Sequence, residues 1–279
     1  MLLGYNTNGF AHHALVDAIE VLVAIGYRSV AITIDHHALN PFSADWERQL
    51  AAVGELLSRH QLCSVIETGA RYLLNLWIKH EPTLVSSDPA GRERRLQFYF
   101  HAVRCAQALG SKCVSIWSGR RDPAVSGNLA WTWLVEGLHR LLDFAQRQGV
   151  KIALEPEPGM LVSTIDDYLL VVDKLGRDDL WLTVDFGHLH CQGEVPFARV
   201  LMPVKDRIVN VHIEDMRRGA HVHLPFGQGD LDVREAIATL EQFGYTGPVH
   251  VELSRNSDEA PSVAQEAYRF LCQLCKAGQ

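Results

Sequence analysis

The sequence has no long apolar run, no excess of basic charge and no cysteine framework, and each absence removes a class of protein. No stretch approaches the ~18 consecutive apolar residues of a membrane-spanning helix. The opening Met1-Leu-Leu-Gly-Tyr-Asn6 lacks a basic segment followed by an apolar one, so it reads as a strand and not as a secretion signal. Lysine and arginine number 26 against 33 aspartates and glutamates, and the net charge of −7 disfavours a general nucleic-acid surface. The six cysteines, at 63, 105, 113, 191, 272 and 275, are scattered along 279 residues. A chain of this size needs no disulfides, so reduced thiols and a cytoplasmic location are expected. Cys272-Gln-Leu-Cys275 has metal-motif spacing but no second pair, which favours two helix-packed thiols. No linker, low-complexity tract or close repeat is present, and residues 1–279 are expected to form one domain.

What the chain does contain is regular alternation. Strand-like apolar runs fall at 2–6, 29–34, 63–67, 112–117, 151–155, 180–185, 208–212 and 249–253. Helical stretches lie between them at 12–25, 43–60, 89–109, 127–148, 164–175, 196–203, 232–243 and 261–276. Glycines 26, 110, 149 and 244 follow helices, where glycine closes the C-terminus. Asp88-Pro89 and Ser163-Thr-Ile-Asp166 have the chemistry of helix starts. Eight strand–helix units spaced by roughly 30 residues predict an α/β protein of the (β/α)8, or TIM-barrel, class. A doubly wound open sheet is the alternative, but no Gly-x-Gly-x-x-Gly turn follows the first strand. The segment 67–89, with Trp77, Lys79, His80 and Pro82, is too rich for a plain connection and is expected to cover one end of the barrel. Arg92-Glu-Arg-Arg95 reads as a solvated helix face.

Four consecutive strand candidates end on a charged or imidazole side chain: Glu155, Asp185, His212 and Glu252. A buried strand tolerates a charge at its last position only if something pairs with it. Parallel barrel strands end on one shared rim, so the four should converge there. Three carboxylates and an imidazole at one point repel unless a divalent cation holds them. Mixed oxygen and nitrogen ligation suits Mn²⁺, Co²⁺, Mg²⁺ or Zn²⁺ without choosing among them. Taken singly, Asp185 could equally be a helix cap and His212 a satisfied rim histidine. His188, three residues after Asp185, together with His221 and His223 could hold a second metal; the plainer alternative is substrate contact and loop orientation. Gly227 and Gly229 form only a lone Gly-x-Gly, better read as a turn into the last barrel helix than as a phosphate cradle.

With these motifs in place, the chain resembles the xylose isomerase-like TIM-barrel superfamily, which holds ketose 3-epimerases, hydroxypyruvate isomerase, inosose dehydratase and nucleases of the endonuclease IV type. The resemblance runs over nearly the whole chain. It is carried by Leu154-Glu155-Pro156, Val184-Asp185-Phe-Gly-His188, Val211-His212-Ile-Glu-Asp215, Pro225-Phe-Gly-Gln-Gly-Asp230 and Val251-Glu252. It implies one divalent ion held by Glu155, Asp185, His212 and Glu252, with Glu155 and Glu252 as acid and base on opposite faces of the substrate. It further implies substrate contacts from His188 and Arg218. In such a site the ion acidifies the C–H beside a carbonyl and stabilises an enediolate while a carboxylate moves the proton. The nuclease branch fits less well. Its first two zinc histidines would fall near Gly69 and Trp117, and the aspartate of its Asp-x-His pair is His221 here.

Glu157 departs from the epimerase pattern by adding an acid, and it is counted with His80 among the expected substrate-binding residues. Arg71, Lys79, Arg120 and Arg121 are candidates for an anionic tail such as phosphate or carboxylate. The reading is a metal-dependent isomerase or epimerase of a sugar or small polyhydroxy carbonyl compound. The rivals are a dehydratase or lyase on a polyol ketone, a two-metal hydrolase or phosphodiesterase, and a non-catalytic sugar-binding accessory protein. A homo-oligomer formed through Trp131, Trp133 or the long loop is an open option.

Overall fold

A computed structural model describes residues 1–277 of the chain, with side chains through residue 274. The side chain of Cys275 therefore lies outside the described residues. Eight parallel strands close into a barrel: β1 (Leu2–Asn6), β2 (Ser29–Thr33), β3 (Cys63–Glu67), β4 (Val114–Trp117), β5 (Ile152–Glu155), β6 (Leu180–Asp185), β7 (Ile208–Ile213) and, after an intervening hairpin, β10 (Pro248–Val251). β1 pairs with β2 on one side and β10 on the other, which completes the closure. The strands are apolar on both faces because the barrel interior lies on one and helices cover the other, as all five buried residues of β2 illustrate.

The outer helices form where the apolar period is 3.6. In α1 (Leu15–Ile25) the buried positions are Leu15, Ala18, Ile19 and Leu22, one stripe facing the barrel. Their ends are set by local chemistry. Asp88 accepts from the backbone N–H groups of Ala90 and Gly91 to start α3 (Pro89–Leu109), and Thr164 with Asp167 forms a capping box on α5 (Ile165–Leu175). α2 (Trp46–His60), α4 (Gly127–Arg147), α7 (Phe197–Leu201), α8 (Val233–Gln242) and α9 (Ala260–Ala277) complete the ring.

Three features depart from the reading of the sequence. A short helix, α6 (Phe186–Gln192), begins directly on the end of β6. Between β7 and α8 the chain forms an antiparallel hairpin, β8 (Asp215–Arg217) and β9 (Ala220–Leu224), which stands on the barrel rim. Arg95, expected on a solvated face, is fully buried. Its guanidinium donates to the carbonyls of Thr68, His80 and Pro82 and so fastens the 67–89 segment over the barrel end. That segment leaves Leu76, Trp77 and Ile78 exposed, whereas Trp133 is covered by the Arg92 guanidinium.

Candidate active site at the barrel rim

The strand ends do converge. Glu155 closes β5 and Asp185 closes β6, His212 is the penultimate residue of β7, and Glu252 is the first residue beyond β10. Asp185 and His212 are register partners across β6 and β7, which places them at one height. One ligand atom from each of the four lies within 4.8 Å of all the others. His212 Nδ1 is 2.9 Å from Glu252 Oε2 and 3.2 Å from Glu155 Oε1.

Asp185 is both cap and site residue. Its Oδ1 accepts from the His188 backbone N–H at the start of α6, while its Oδ2 is buried without a hydrogen-bond partner. A buried carboxylate oxygen left bare beside two other carboxylates and an imidazole is a strained arrangement for protein atoms alone and a suitable one for a divalent cation. The residues present therefore fit such an ion.

Burial and neighbours push the two glutamates apart. Burial, with Glu252 and Asp185 adding to it, holds the Glu155 carboxyl well above the ordinary carboxylate range against the pull of His212. Burial would raise Glu252 too, but the charge and hydrogen bond of His212, with His223 and His188 behind it, hold it below that range. Asn8 Nδ2 donates to Glu252 Oε1 at 2.7 Å and fixes the carboxylate. Burial would lower His212, but the charges of Glu67, Glu155 and Glu252 raise its proton affinity above the ordinary histidine range, and a cation held here would take the place of the proton on Nδ1. One carboxyl raised and one lowered, both beside Nδ1 of the same imidazole, are the components of an acid–base pair.

The second histidine group also forms. His221 and His223 lie on β9 with one residue between them, so both side chains point to the same face. His221 Nε2 is 3.0 Å from His188 Nε2, and a ligand nitrogen from each of the three histidines falls within 4.8 Å of the other two. His188 Nδ1 donates to the Pro156 carbonyl at 3.2 Å, which leaves Nε2 without a proton and facing His221; burial lowers this histidine to about 4. Behind His223 lies Glu214, fully buried with neither carboxylate oxygen hydrogen-bonded. Burial and Asp185 raise Glu214 to about 8. A Cβ on Gly187 would lie 2.1 Å from Glu214 Oε1, so any larger residue at that point of α6 would displace the Glu214 carboxylate.

These groups line a cavity of about 300 Å³ at the barrel mouth. Glu155, Glu157, His188, His212, His221, His223 and Glu252 line it together with Glu67, Arg71, Lys79, His80 and Arg255, while Asp185 is buried and not part of the lining. Burial lowers His80 to about 4, and its Nδ1 donates to the Gly69 carbonyl. Glu157 is raised to about 7 by burial and by Glu252.

Arg218, expected to touch substrate, does not line the cavity. It sits in the exposed turn of the β8–β9 hairpin, its guanidinium against Gly193 and its backbone N–H on Asp230, because the hairpin carries the chain outward after His212. Arg120 and Arg121 are exposed away from the cavity as well, and Arg121 donates to the Val125 carbonyl. Among the described residues, Lys79 and Arg255 form no ion pair, whereas Arg71 is paired with Asp35 at 2.8 Å. The turn at Gly227 is no phosphate cradle: its N–H donates to Asp215 Oδ2, and Leu231 N–H to Asp215 Oδ1.

Three site residues escaped the reading of the sequence. Glu67 ends β3 and lies 2.9 Å from His212 Nε2; the strand-end rule that found the other four applies to it equally. Arg255 follows Glu252 by three residues on the same rim, a proximity that was there to be read. Asn8 carried no signal beyond its place in the first rim loop. The positions opposite the missing nuclease zinc ligands, Gly69 and Trp117, do line the cavity, with no ligand atom to offer.

The chain belongs to the xylose isomerase-like TIM-barrel family, whose model matches residues 19–274. Within that family it is similar to L-ribulose-5-phosphate 3-epimerase UlaE of Escherichia coli, 25% identical over 269 residues that cover 94% of this chain and 91% of the relative. The corresponding protein of Shigella flexneri is 26% identical over the same coverage. Solved structures share the fold: 3-keto-D-glucoside 4-epimerase YcjR from E. coli superposes with a TM-score of 0.80 at 17% identity, covering 98% of this chain and 99% of that one. IolI with a bound zinc atom superposes with a TM-score of 0.77 at 20% identity, covering 98% of each chain. Among the described residues no helix is long and apolar enough to cross a membrane.

Proposed function

We propose that the protein is a divalent-metal-dependent isomerase or epimerase of a ketose-like sugar, working through an enediolate. The observation that carries this reading is the convergence of Glu155, Asp185, His212 and Glu252 at one point of the rim, with a carboxylate oxygen of Glu155 and one of Glu252 both beside His212 Nδ1. Glu155, Asp185, His212 and Glu252 would hold the ion, which when bound supplies the positive charge that acidifies a C–H next to a carbonyl. Glu252, fixed by Asn8, removes that proton. Glu155 returns a proton from the other side. His188 and His80, both neutral, serve as hydrogen-bond partners for substrate hydroxyls, and Glu157 accepts from another.

Lys79 and Arg255 favour a substrate with an anionic group at the outer end, in line with the E. coli relative named for a 5-phosphate sugar. The free cysteines at 63, 105, 113, 191 and 272 fit a reducing compartment such as the cytoplasm. A second cation at His188, His221 and His223 is the competing use of those residues, supported by the 3.0 Å approach of two imidazole nitrogens.

The test is incubation with Mn²⁺, Co²⁺, Mg²⁺ or Zn²⁺ and a panel of ketoses and ketose phosphates in heavy water. Deuterium entering at the carbon beside the carbonyl, with an isomer or epimer formed, is expected. Loss of water from the product would instead make the protein a dehydratase. No exchange with any sugar or ion would overturn the reading.

A further inference from the structure

The interior of a (β/α)8 barrel is ordinarily filled by layers of branched aliphatic side chains. Here a chain of polar groups crosses it. Ser29, the first residue of β2, places its Oγ 2.8 Å from His250 Nε2. His250 Nδ1 is 2.9 Å from Asn210 Oδ1, and Asn210 Nδ2 donates to Glu67 Oε1 at 3.0 Å. The same Glu67 oxygen lies 2.9 Å from His212 Nε2. Ser29, Asn210 and His250 are wholly inaccessible, His212 is 1% exposed and Glu67 is 6% exposed.

The proton positions along this chain follow from donor and acceptor types. A carboxylate can only accept, so Asn210 presents its amide nitrogen to Glu67 and its oxygen to His250. His250 then donates from Nδ1 and accepts at Nε2 from the serine hydroxyl. His212 must donate Nε2–H to Glu67, which leaves Nδ1, the nitrogen facing Glu155 and Glu252, as the one available to a ligand. Gly4 makes room for the chain: a Cβ there would lie 2.3 Å from His250 Cδ2.

We propose that Glu67 is a positioning residue for the cation site. It fixes the ring orientation and tautomer of His212, and the chain through Asn210 and His250 to Ser29 fixes Glu67 in turn. Burying a carboxylate inside the barrel costs stability that an aliphatic residue would not. What the carboxylate adds is direction, because a ligand histidine whose second nitrogen is tied to an acceptor presents one defined lone pair. This inference rests on Glu155, Asp185, His212 and Glu252 being cation ligands.

The experiment is calorimetric titration of Mn²⁺ into chelator-stripped protein, for wild type, Glu67→Ala, Glu67→Gln and Ser29→Ala, with circular dichroism to show that each metal-free variant is folded. Glu67→Ala is expected to weaken Mn²⁺ binding by about 10–100-fold. Glu67→Gln keeps an acceptor oxygen in place and should recover most of that loss, and Ser29→Ala, at the far end of the chain, should lose affinity by a smaller factor. Wild-type affinity in folded Glu67→Ala would overturn the proposal, as would a glutamine variant no better than the alanine one. Should Glu67→Ala not fold, the isosteric glutamine and the distant serine variants decide it: unchanged affinity in Ser29→Ala with a full loss in Glu67→Gln refutes positioning through the chain. Absence of Mn²⁺ binding in wild type would instead overturn the cation site itself, and this inference with it.

Discussion

Replacing Glu252 by glutamine removes its basicity and one proposed ligand oxygen while keeping its anchor on Asn8. The wild-type Oε1 accepts from Asn8 Nδ2 at 2.7 Å, and a glutamine oxygen can take the same bond. The other carboxylate oxygen, 2.9 Å from His212 Nδ1, becomes an amide nitrogen that cannot accept a proton. Loss of a positioned general base costs about 10²–10⁴ in rate, or about 3–5 kcal/mol of barrier. The expected result at saturating Mn²⁺ is a kcat reduced by that factor, with KM within about threefold. Isotope exchange separates the two glutamates. If Glu252 takes the proton and Glu155 returns one on the opposite face, Glu155→Gln still washes deuterium into the starting sugar but forms no epimer. Glu252→Gln does neither with that sugar, yet exchanges the product epimer. Elemental analysis of both variants is needed alongside, since each also removes a proposed ligand. Full turnover by metal-loaded Glu252→Gln would refute the acid–base assignment.

Four further outcomes are expected. Mn²⁺ at a hundred times its dissociation constant should stabilise the stripped protein by about 2.7 kcal/mol, raising the melting temperature by roughly 5–10 °C, and Asp185→Asn, which removes the bare Oδ2, should abolish the shift. Gly4→Ala forces a methyl against His250 and the Ser29 carbonyl; overpacking of about 1–3 kcal/mol plus about 1 kcal/mol for a lost hydrogen bond should lower the melting temperature by roughly 4–16 °C, and an unchanged melt would mean that His250 is not seated in the barrel. Glu194 is raised from 4.5 to about 7, first by burial and then by Asp166 and Asp167, while accepting from the Ile165 backbone N–H. Because its folded value exceeds the unfolded one, the folded state holds the extra proton, so this group's contribution falls as pH rises from 4.5 to about 7 and stays low above that; Glu194→Gln should therefore match wild type in urea melts at pH 4 and exceed it at pH 8, and an equal difference at both would refute the assignment. Paired replacement of Lys79 and Arg255 by alanine should raise KM for a ketose phosphate by at least about tenfold and leave that for the neutral ketose unchanged, which parallel steady-state assays would reveal.

Much of the fold could be read from the chain because its signals are local. Alternation of apolar runs with 3.6-period stripes gave the eight barrel units, and helix ends such as Asp88 and Thr164 carry their own capping chemistry. One topological rule, that parallel barrel strands end together, then sufficed to bring Glu155, Asp185, His212 and Glu252 to one point. The same rule applied to β3 would have added Glu67.

The rest depended on where loops and interior side chains turn, and no nearby residue specifies that. Arg218 faces outward and Arg255 inward because a hairpin lifts one strand end away from the cavity while the other continues along the rim. Arg95 is buried because three carbonyls of a distant loop surround it. The opposed proton affinities of Glu155 and Glu252 arise from burial and from charges brought by other strands. Sequence alone determined the barrel and the four convergent side chains, since periodicity and chain order encode both. Tertiary structure alone decided which groups hold protons, which cations reach the cavity and which neighbours orient His212, since these are set by distances between residues far apart in the chain.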